Sequence, residues 1–320
     1  MDAKLTVGIC TYNRAARLPA LVRALRDQEC PIPFEILLVN NNSQDDTLAV
    51  LASLAAQPGA RLRYVTEAEQ GIVPARNRVL AEARDSDYLV FLDDDELPGP
   101  GLLAAAVQEF QTYPSADCLG GRVEVDFSGA GGRPAWLGDE LLGFLGGVDY
   151  GDQGFWIKDD RTPVWTSNVA YRMALFRNDP SLRFDPRFNR KGKGVVGGED
   201  VHMFLTLLQR GTGIRYCPAM VTRHGVEAWR LYRWYFLRLH AANGYRAGRF
   251  EQPPYSRQFL GVPPFLFRQL VRQCQRTVAM LLGARRGTLR QAMNAAHAVG
   301  MIAGYHARWR ESLAPPESGP

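Results

Sequence analysis

Residues 88–96, YLVFLDDDE, constrain this chain more than any other stretch, because an uncharged, β-rich run passes directly into consecutive acids. Such a run reads as a strand covered on both faces of a parallel sheet. Asp93, Asp94 and Asp95 then fall at its carboxyl end, where open α/β sheets form their ligand crevice. Three adjacent like charges repel, and a bound divalent cation relieves them. Oxygen donors beside a crevice suit Mg²⁺ or Mn²⁺ shared with a substrate phosphate. The triplet also fits a solvated acidic turn, so its surroundings must decide.

Those surroundings predict a sheet. Residues 5–10 form a first strand, followed by a helix with Leu18, Leu21, Val22 and Leu25 at i, i+3, i+4, i+7 and Pro19 in its first turn. Residues 34–39 form a second strand. Ser43 and Asp46 make a capping-box-like start to a helix carrying Leu48 and Leu51, which stops at Pro58-Gly59. Residues 62–66 form a third strand, followed by Gly71 and a helix opened by Pro74, with Arg76 and Asn77 in its first turn. Four strands alternating with three helices predict an α/β fold with a Rossmann-like, mostly parallel sheet flanked by helices. No G-x-G-x-x-G follows the first strand, which argues against a dinucleotide fold of the NAD type.

VGICTYNR, LLVNNNSQDD, Gly71 followed by Ala75-Arg76-Asn77, and FLDDDE occur in this order, each at a strand end. Together they resemble the nucleotide-sugar-binding half of inverting glycosyltransferases of family 2, which have the GT-A fold; the match covers residues 4–100. The resemblance implies that Thr11, Tyr12, Arg14, Asn40 and Asn42 hold the nucleoside. It implies that Asp95 is a metal ligand and that Asp93 faces the ribose or the metal, with Asp94 on the nucleotide side. Arg76 then reaches a phosphate or helps hold Asp93. The family usually has Asp where this chain has Asn40, a position that accepts from N3–H of uracil. An Asn oxygen can accept the same bond, but its amide end adds donors, so UDP is the expected nucleotide and another base stays open. Residues 40–42 read equally as an Asx-rich turn.

The second half is less regular. A helix from Leu102 and a strand over 118–127 precede a Gly- and Trp-rich stretch containing Trp136 and Trp165, whose rings suit either sugar stacking or packing. VWTSNVAYR, residues 164–172, resembles the family's acceptor-side strand, with Ser167 and Asn168 able to bond sugar hydroxyls. Residues 189–198, NRKGKGVVGG, are expected to form a mobile basic loop that closes over a diphosphate. The loop leads into Glu199-Asp200, which opens a helix with Val201, Phe204, Leu205 and Leu208 on one face and a stop at Gly211. The family's second landmark is an acid pair of this kind whose Asp is the catalytic base, here Asp200, with Glu199 the alternative. The helix dipole alone also accounts for acids at this position, and it is expected to keep Asp200 ionised. His224 lies where several GT-A enzymes complete a metal shell, although a lone His is also an ordinary structural residue. The processive members' Q-x-x-R-W motif is not met.

The chain has 320 residues, 46% of them hydrophobic, enough for one sizeable core and an accessory region. The expected division is a catalytic domain over 1–225, with a donor half to residue 100 and an acceptor half after it, and a helical, Arg-rich region over 226–320. Residues 225–320 carry 14 Arg, no Lys and four acids. That asymmetry points to a nucleic acid or an anionic membrane surface. Arg268, Arg272 and Arg276 recur at i+4 within the amphipathic stretch 259–282, and no nucleic-acid module is present. That pattern fits membrane contact and a helix that only packs on the catalytic domain equally well; the resemblance, to a family whose acceptors are often lipid-linked, implies peripheral attachment to the cytoplasmic face of a membrane. Scattered cysteines, no signal peptide and no apolar run of membrane length predict a cytoplasmic protein. The reading is a metal-dependent inverting glycosyltransferase acting on a glycan or lipid-linked hydroxyl. Its rivals are a Mg²⁺ phosphotransferase or phosphatase and a catalytically silent sugar-nucleotide-binding protein.

Overall fold

The structure is a computed structural model that describes residues 3–190, 197–285 and 287–313. The chain divides into two compact units, the first ending at Val226 and the second beginning at Glu227.

In the first unit, β1 (Leu5–Thr11) is flanked by β2 (Phe34–Asn40) and β4 (Tyr88–Asp93), with β3 (Arg61–Thr66) outside β2, all parallel. Helices α1 (Leu18–Arg26), α2 (Thr47–Ala55) and α3 (Ile72–Glu82) make the crossovers. Beyond β4 the sheet becomes mixed. Strand β8 (Asn168–Arg172) runs antiparallel to β4 and to β6 (Cys118–Asp126), and β9 (Ile214–Gly225) runs parallel to β6. Strands β5 (Glu96–Pro98) and β7 (Phe155–Trp156) pair antiparallel with β9. The expected parallel order thus holds only across β3-β2-β1-β4. The later strands pair without a helix between each, as antiparallel neighbours can. Helices α4 (Leu102–Thr112), α5 (Ala174–Asn178) and α6 (Glu199–Gln209) complete the unit.

Strand alternation sorts the core into two layers. Leu5, Val7, Ile9, Ile36, Leu38, Val90 and Leu92 pack on one side of the sheet with α1, α2 and α4. Leu37, Val39, Leu89 and Phe91 face the other side, under α3. Covering both faces of β4 removes its apolar side chains from water, roughly 1.5–3 kcal/mol for each large one. Two local expectations change. Asp46 is the N-cap of α2 but makes no side-chain cap; Asp45 instead accepts from the Thr47 amide and hydroxyl, and Ser43 Oγ accepts from Asn13 N. Helix α6 buries Met203, Phe204 and Leu207 together with Glu199, so of the expected face Phe204 is buried, Leu205 and Leu208 are partly buried against the same core, and the centre of the face shifts towards Glu199.

The second unit contains α7 (Arg233–Arg246), extended by a π-helical turn (Ala247–Glu251), α8 (Pro264–Leu282) and α9 (Thr288–Leu313). Gly244 and Gly248 abut the carbonyls of His297 and Met301, while Gly300 and Gly304 abut those of Ala241 and Tyr245. The two backbones therefore touch, and no Cβ fits at any of the four positions. No helix among the described residues is long and apolar enough to cross a membrane.

Overpacking against backbone on both helices cannot be relieved by a rotamer change. Gly300→Val is expected to lower stability by about 3 kcal/mol in urea unfolding. Gly143→Ala, where an added Cβ meets nothing, should stay within about 0.5 kcal/mol of the parent.

Candidate active site

Helix α3 lies so close on β1 that a Cβ at Gly8 would collide with Val79. One turn earlier, the same buried face carries Arg76, which is only 4% exposed. Its Nη2 donates to Asp93 Oδ1 at 3.2 Å and its Nη1 to Glu199 Oε1 at 2.5 Å, with the Phe184 ring 5.7 Å from the guanidinium carbon. A single side chain thus joins the end of β4 to the start of α6. The amino end of α3 is fixed from both sides. Asn41 Oδ1 accepts from Gly71 N, whose φ of 141° excludes most side chains, while Asn189 Oδ1 accepts from Val73 N and the Arg190 carbonyl from Ile72 N. Of the predicted basic loop, residues 191–196 lie outside the described residues.

The acids after β4 are not an unrelieved cluster. Asp93 is held by Arg76 and remains 37% exposed. Asp94 accepts from Thr11 Oγ1 at 2.7 Å, with Arg14 at 4.0 Å. Burial, then the charge of Asp95, pushes its carboxyl up to about 7. Asp95 Oδ1 lies 3.5 Å from His224 Nδ1. The β5–β9 ladder sets that neighbour, since Glu96 is in register with His224 and Gly225 N donates to the Asp95 carbonyl. Glu96 had no role in the sequence reading. It is fully buried, its two oxygens make no hydrogen bond among the described residues, and His224 Nδ1 stands 3.5 Å from one of them. Burial pushes its carboxyl up to about 8. The clue was its place as the fourth acid of DDDE. Alternation alone misleads here, because Leu97 points out and Glu96 points in.

Asp95 and His224 put an oxygen and a nitrogen donor side by side, with the unbonded Glu96 oxygens behind them. Among the described residues no three such side chains form a complete cage. A partial protein set that leaves positions for water and substrate oxygens fits Mn²⁺ or Mg²⁺.

Glu199 is buried, bonded to Arg76, and its Oε2 accepts from Gly198 N. These contacts suit an anchor rather than a base. Asp200 is half-buried beside it, and Asp200 Oδ1 accepts from Val201 N. Burial, then the neighbouring Glu199, pushes its carboxyl up to about 6. Asp200 is expected from the sequence to be ionised at neutral pH and to be a weak base; a carboxyl pushed up to about 6 is ionised there, and burial makes it a stronger base than expected. The Cys10 thiol, next to Arg76 at the end of β1, is pushed up by burial and is no thiolate nucleophile.

The other predicted residues divide. Asn40 is buried and its Oδ1 accepts from Ser43 N, so the Asx turn is present and that oxygen is already engaged. Asn42 is exposed in a left-handed conformation (φ 56°), and Tyr12 is half-buried. Asn13 Oδ1 accepts from Gln44 N, tying the loop after β1 to the loop after β2. Asn168 does not face an acceptor: it is buried, and its Nδ2 donates to the carbonyls of Arg122 and Met220, clamping β6 to β9 at the bulge. Ser167 and Trp136 are half-buried, and Trp165 packs on the core below α3.

A family model described as Glycosyl transferase family 2 matches residues 6–179, more than half of the chain. The chain belongs to glycosyltransferase family 2. It is 35% identical over 105 residues to the uncharacterized glycosyltransferase YfnE of Bacillus subtilis, covering 33% of this chain and 26% of that protein. It is 26% identical over 227 residues to the succinoglycan biosynthesis protein ExoM of Rhizobium meliloti, covering 70% and 65%. The chain thus spans less than two thirds of the length of these relatives. Its fold is GT-A and is similar to that of S. aureus TarS in complex with UDP (TM-score 0.56, 15% identity, 97% of this chain and 92% of that one). It is also similar to the mannosyltransferase PcManGT from Pyrobaculum calidifontis in complex with GDP-Man and Mn²⁺ (TM-score 0.61, 15% identity, 95% and 87%).

The buried charges of the first unit can be tested directly. Arg76→Met leaves Glu199 buried without its cation and should cost about 3–5 kcal/mol in urea unfolding at pH 7, with Arg76→Lys recovering only part because one ammonium cannot fork to both carboxylates. Glu96 has a folded pKa raised to about 8 from 4.5, so its contribution to stability is present below 4.5 and is lost as pH rises towards 8. In the metal-free protein, Glu96→Gln should match the parent near pH 4.5 and gain on it steadily up to pH 8, measured by thermal unfolding across that range.

Proposed function

We propose that this glycosyltransferase moves a sugar from a nucleoside diphosphate to a hydroxyl of a glycan or lipid-linked acceptor, with inversion at the anomeric carbon. The observation that carries the reading is the Arg76 bridge, which brings the β4 acids and the Glu199-Asp200 pair to one place although 123 residues separate Arg76 from Glu199. UDP and GDP-Man in the complexes of the similar structures support a nucleoside-diphosphate donor, with UDP the nucleotide proposed here. Thr11, Tyr12, Arg14 and the loop from Asn40 to Asn42 form the nucleoside side. Ser167, Trp136 and Trp165 are assigned to the acceptor side.

Asp95 and His224 would hold a divalent Mg²⁺ or Mn²⁺, which when bound supplies Lewis-acid stabilisation of the charge growing on the leaving diphosphate. Asp93, steadied by Arg76, orients the donor from the exposed part of its carboxylate. With Glu199 occupied, Asp200 is left to accept the proton of the acceptor hydroxyl as that oxygen attacks the anomeric carbon. A carboxylate pushed up to about 6 is ionised at pH 7 and yet a stronger base than an ordinary Asp.

Asp200→Asn should keep donor binding, followed by calorimetry with UDP- and GDP-sugars, while transfer falls roughly 10²- to 10⁴-fold. The base works deprotonated, so kcat/KM of the parent should rise with pH through about 6 and then level off. Transfer by the variant at the parental rate would remove Asp200 from the role. A retained anomeric configuration in the product, read by NMR, would rule out a single displacement. Release of free phosphate in place of nucleoside diphosphate would favour the phosphatase reading.

A further inference from the structure

We propose that α8 is a docking surface for an anionic phospholipid membrane. The inner face of α8 is accounted for: Leu266 is buried, Gln273 bonds Gln291 through its side chain at 2.6 Å, and Leu270, Thr277 and Met280 are half-buried towards α9. The rest of the helix is open to solvent and falls into two stripes. Phe267, Val271, Cys274 and Val278, at i, i+4, i+7 and i+11, form an apolar stripe that ends in Leu281 and Leu282, the last of these 86% exposed. Arg268 and Arg272 each follow a residue of that stripe, about 100° round the helix, and Arg276, two residues after Cys274, continues their row further round, away from the stripe. A surface groove of about 400 Å³ runs beside them, lined by the three arginines with Phe265, Gln269 and Gln273. At the amino end, Phe259 and Leu260 stand on a tight turn with Leu260 at φ 49°, 65% and 51% exposed.

Charge complementarity selects the occupant. No acid occurs between Glu251 and Glu311, and nine arginines do. A second copy of this chain would bring like charge against like charge. A nucleic acid would engage the arginines and leave the apolar stripe in water. A phospholipid surface matches both stripes: acyl chains receive the apolar side chains, and headgroup phosphates accept from guanidinium forks seated in the groove. The apolar residues are not long or continuous enough to span, so α8 lies in the plane of the interface. This inference does not depend on the catalytic assignment, and its test reads binding alone.

The full-length chain is floated with vesicles of equal parts phosphatidylglycerol and phosphatidylcholine, and with phosphatidylcholine alone, at low and high salt. The expected result is flotation with the anionic vesicles at low salt, weakened by salt and absent with phosphatidylcholine. Arg268→Glu/Arg272→Glu/Arg276→Glu should lower partitioning at least about 100-fold. Val271→Asp/Val278→Asp/Leu281→Asp should abolish it at any salt, with the thermal unfolding of both variants unchanged because the altered side chains are exposed. The proposal is overturned if the parent stays in the aqueous layer, or if either triple variant floats like the parent. It is equally overturned if sedimentation equilibrium shows a dimer that the apolar variant dissociates, which would make the stripe an interface between copies.

Discussion

A guanidinium removed from water must find carboxylates, and in the first unit that requirement falls on Arg76. Asp93 and Glu199 satisfy it from two elements that have no other reason to meet, the end of a core strand and the first turn of a helix more than a hundred residues later. Glu199 is buried with the guanidinium, so removing Arg76 would leave that carboxylate unpaired in a low-dielectric setting, whereas Asp93 keeps part of its carboxylate in solvent. The stability of the fold and the geometry of the site therefore rest on one contact. Gly8 makes this possible, since only a bare strand lets α3 lie low enough for Arg76 to reach both partners from within the core.

The acids show how a dense negative cluster is built without collapse of the strand end. Each is assigned to a different support: Asp93 to α3, Asp94 to the Thr11 hydroxyl, Asp95 to the neighbourhood of His224. Burial raises the carboxyls of Asp94 and Glu96, the two acids of the run whose charge costs most.

The first hundred residues were legible in the sequence because their strands are buried on both faces and their helices have clean periodicity, so strands expected over 5–10, 34–39, 62–66 and 88–92 are found at 5–11, 34–40, 61–66 and 88–93. What escaped was set by pairing across long separations. The short strand β5 has its acid inside and its leucine outside because its register is dictated by β9. Asn168 looks like a sugar ligand in sequence and is a clamp in the fold, since the bulge between Gly121 and Arg122 leaves carbonyls that need a donor. The helices of residues 226–320 were expected, but the packing of α7 on α9 was not legible, for the opposite reason. Their glycines lower helix propensity, and only the partner helix explains why they are there.

Those four glycines have a consequence for how the second unit can change over time. Where helices meet through side chains, every exchange at the seam alters the crossing, and the outer surface shifts with it. In α7 and α9 the spacing is set by peptide groups resting on one another, a template with no volume to vary. The seam is therefore intolerant and the exterior permissive: surface residues can be rewritten, in charge or in greasiness, while the scaffold that displays them keeps its shape.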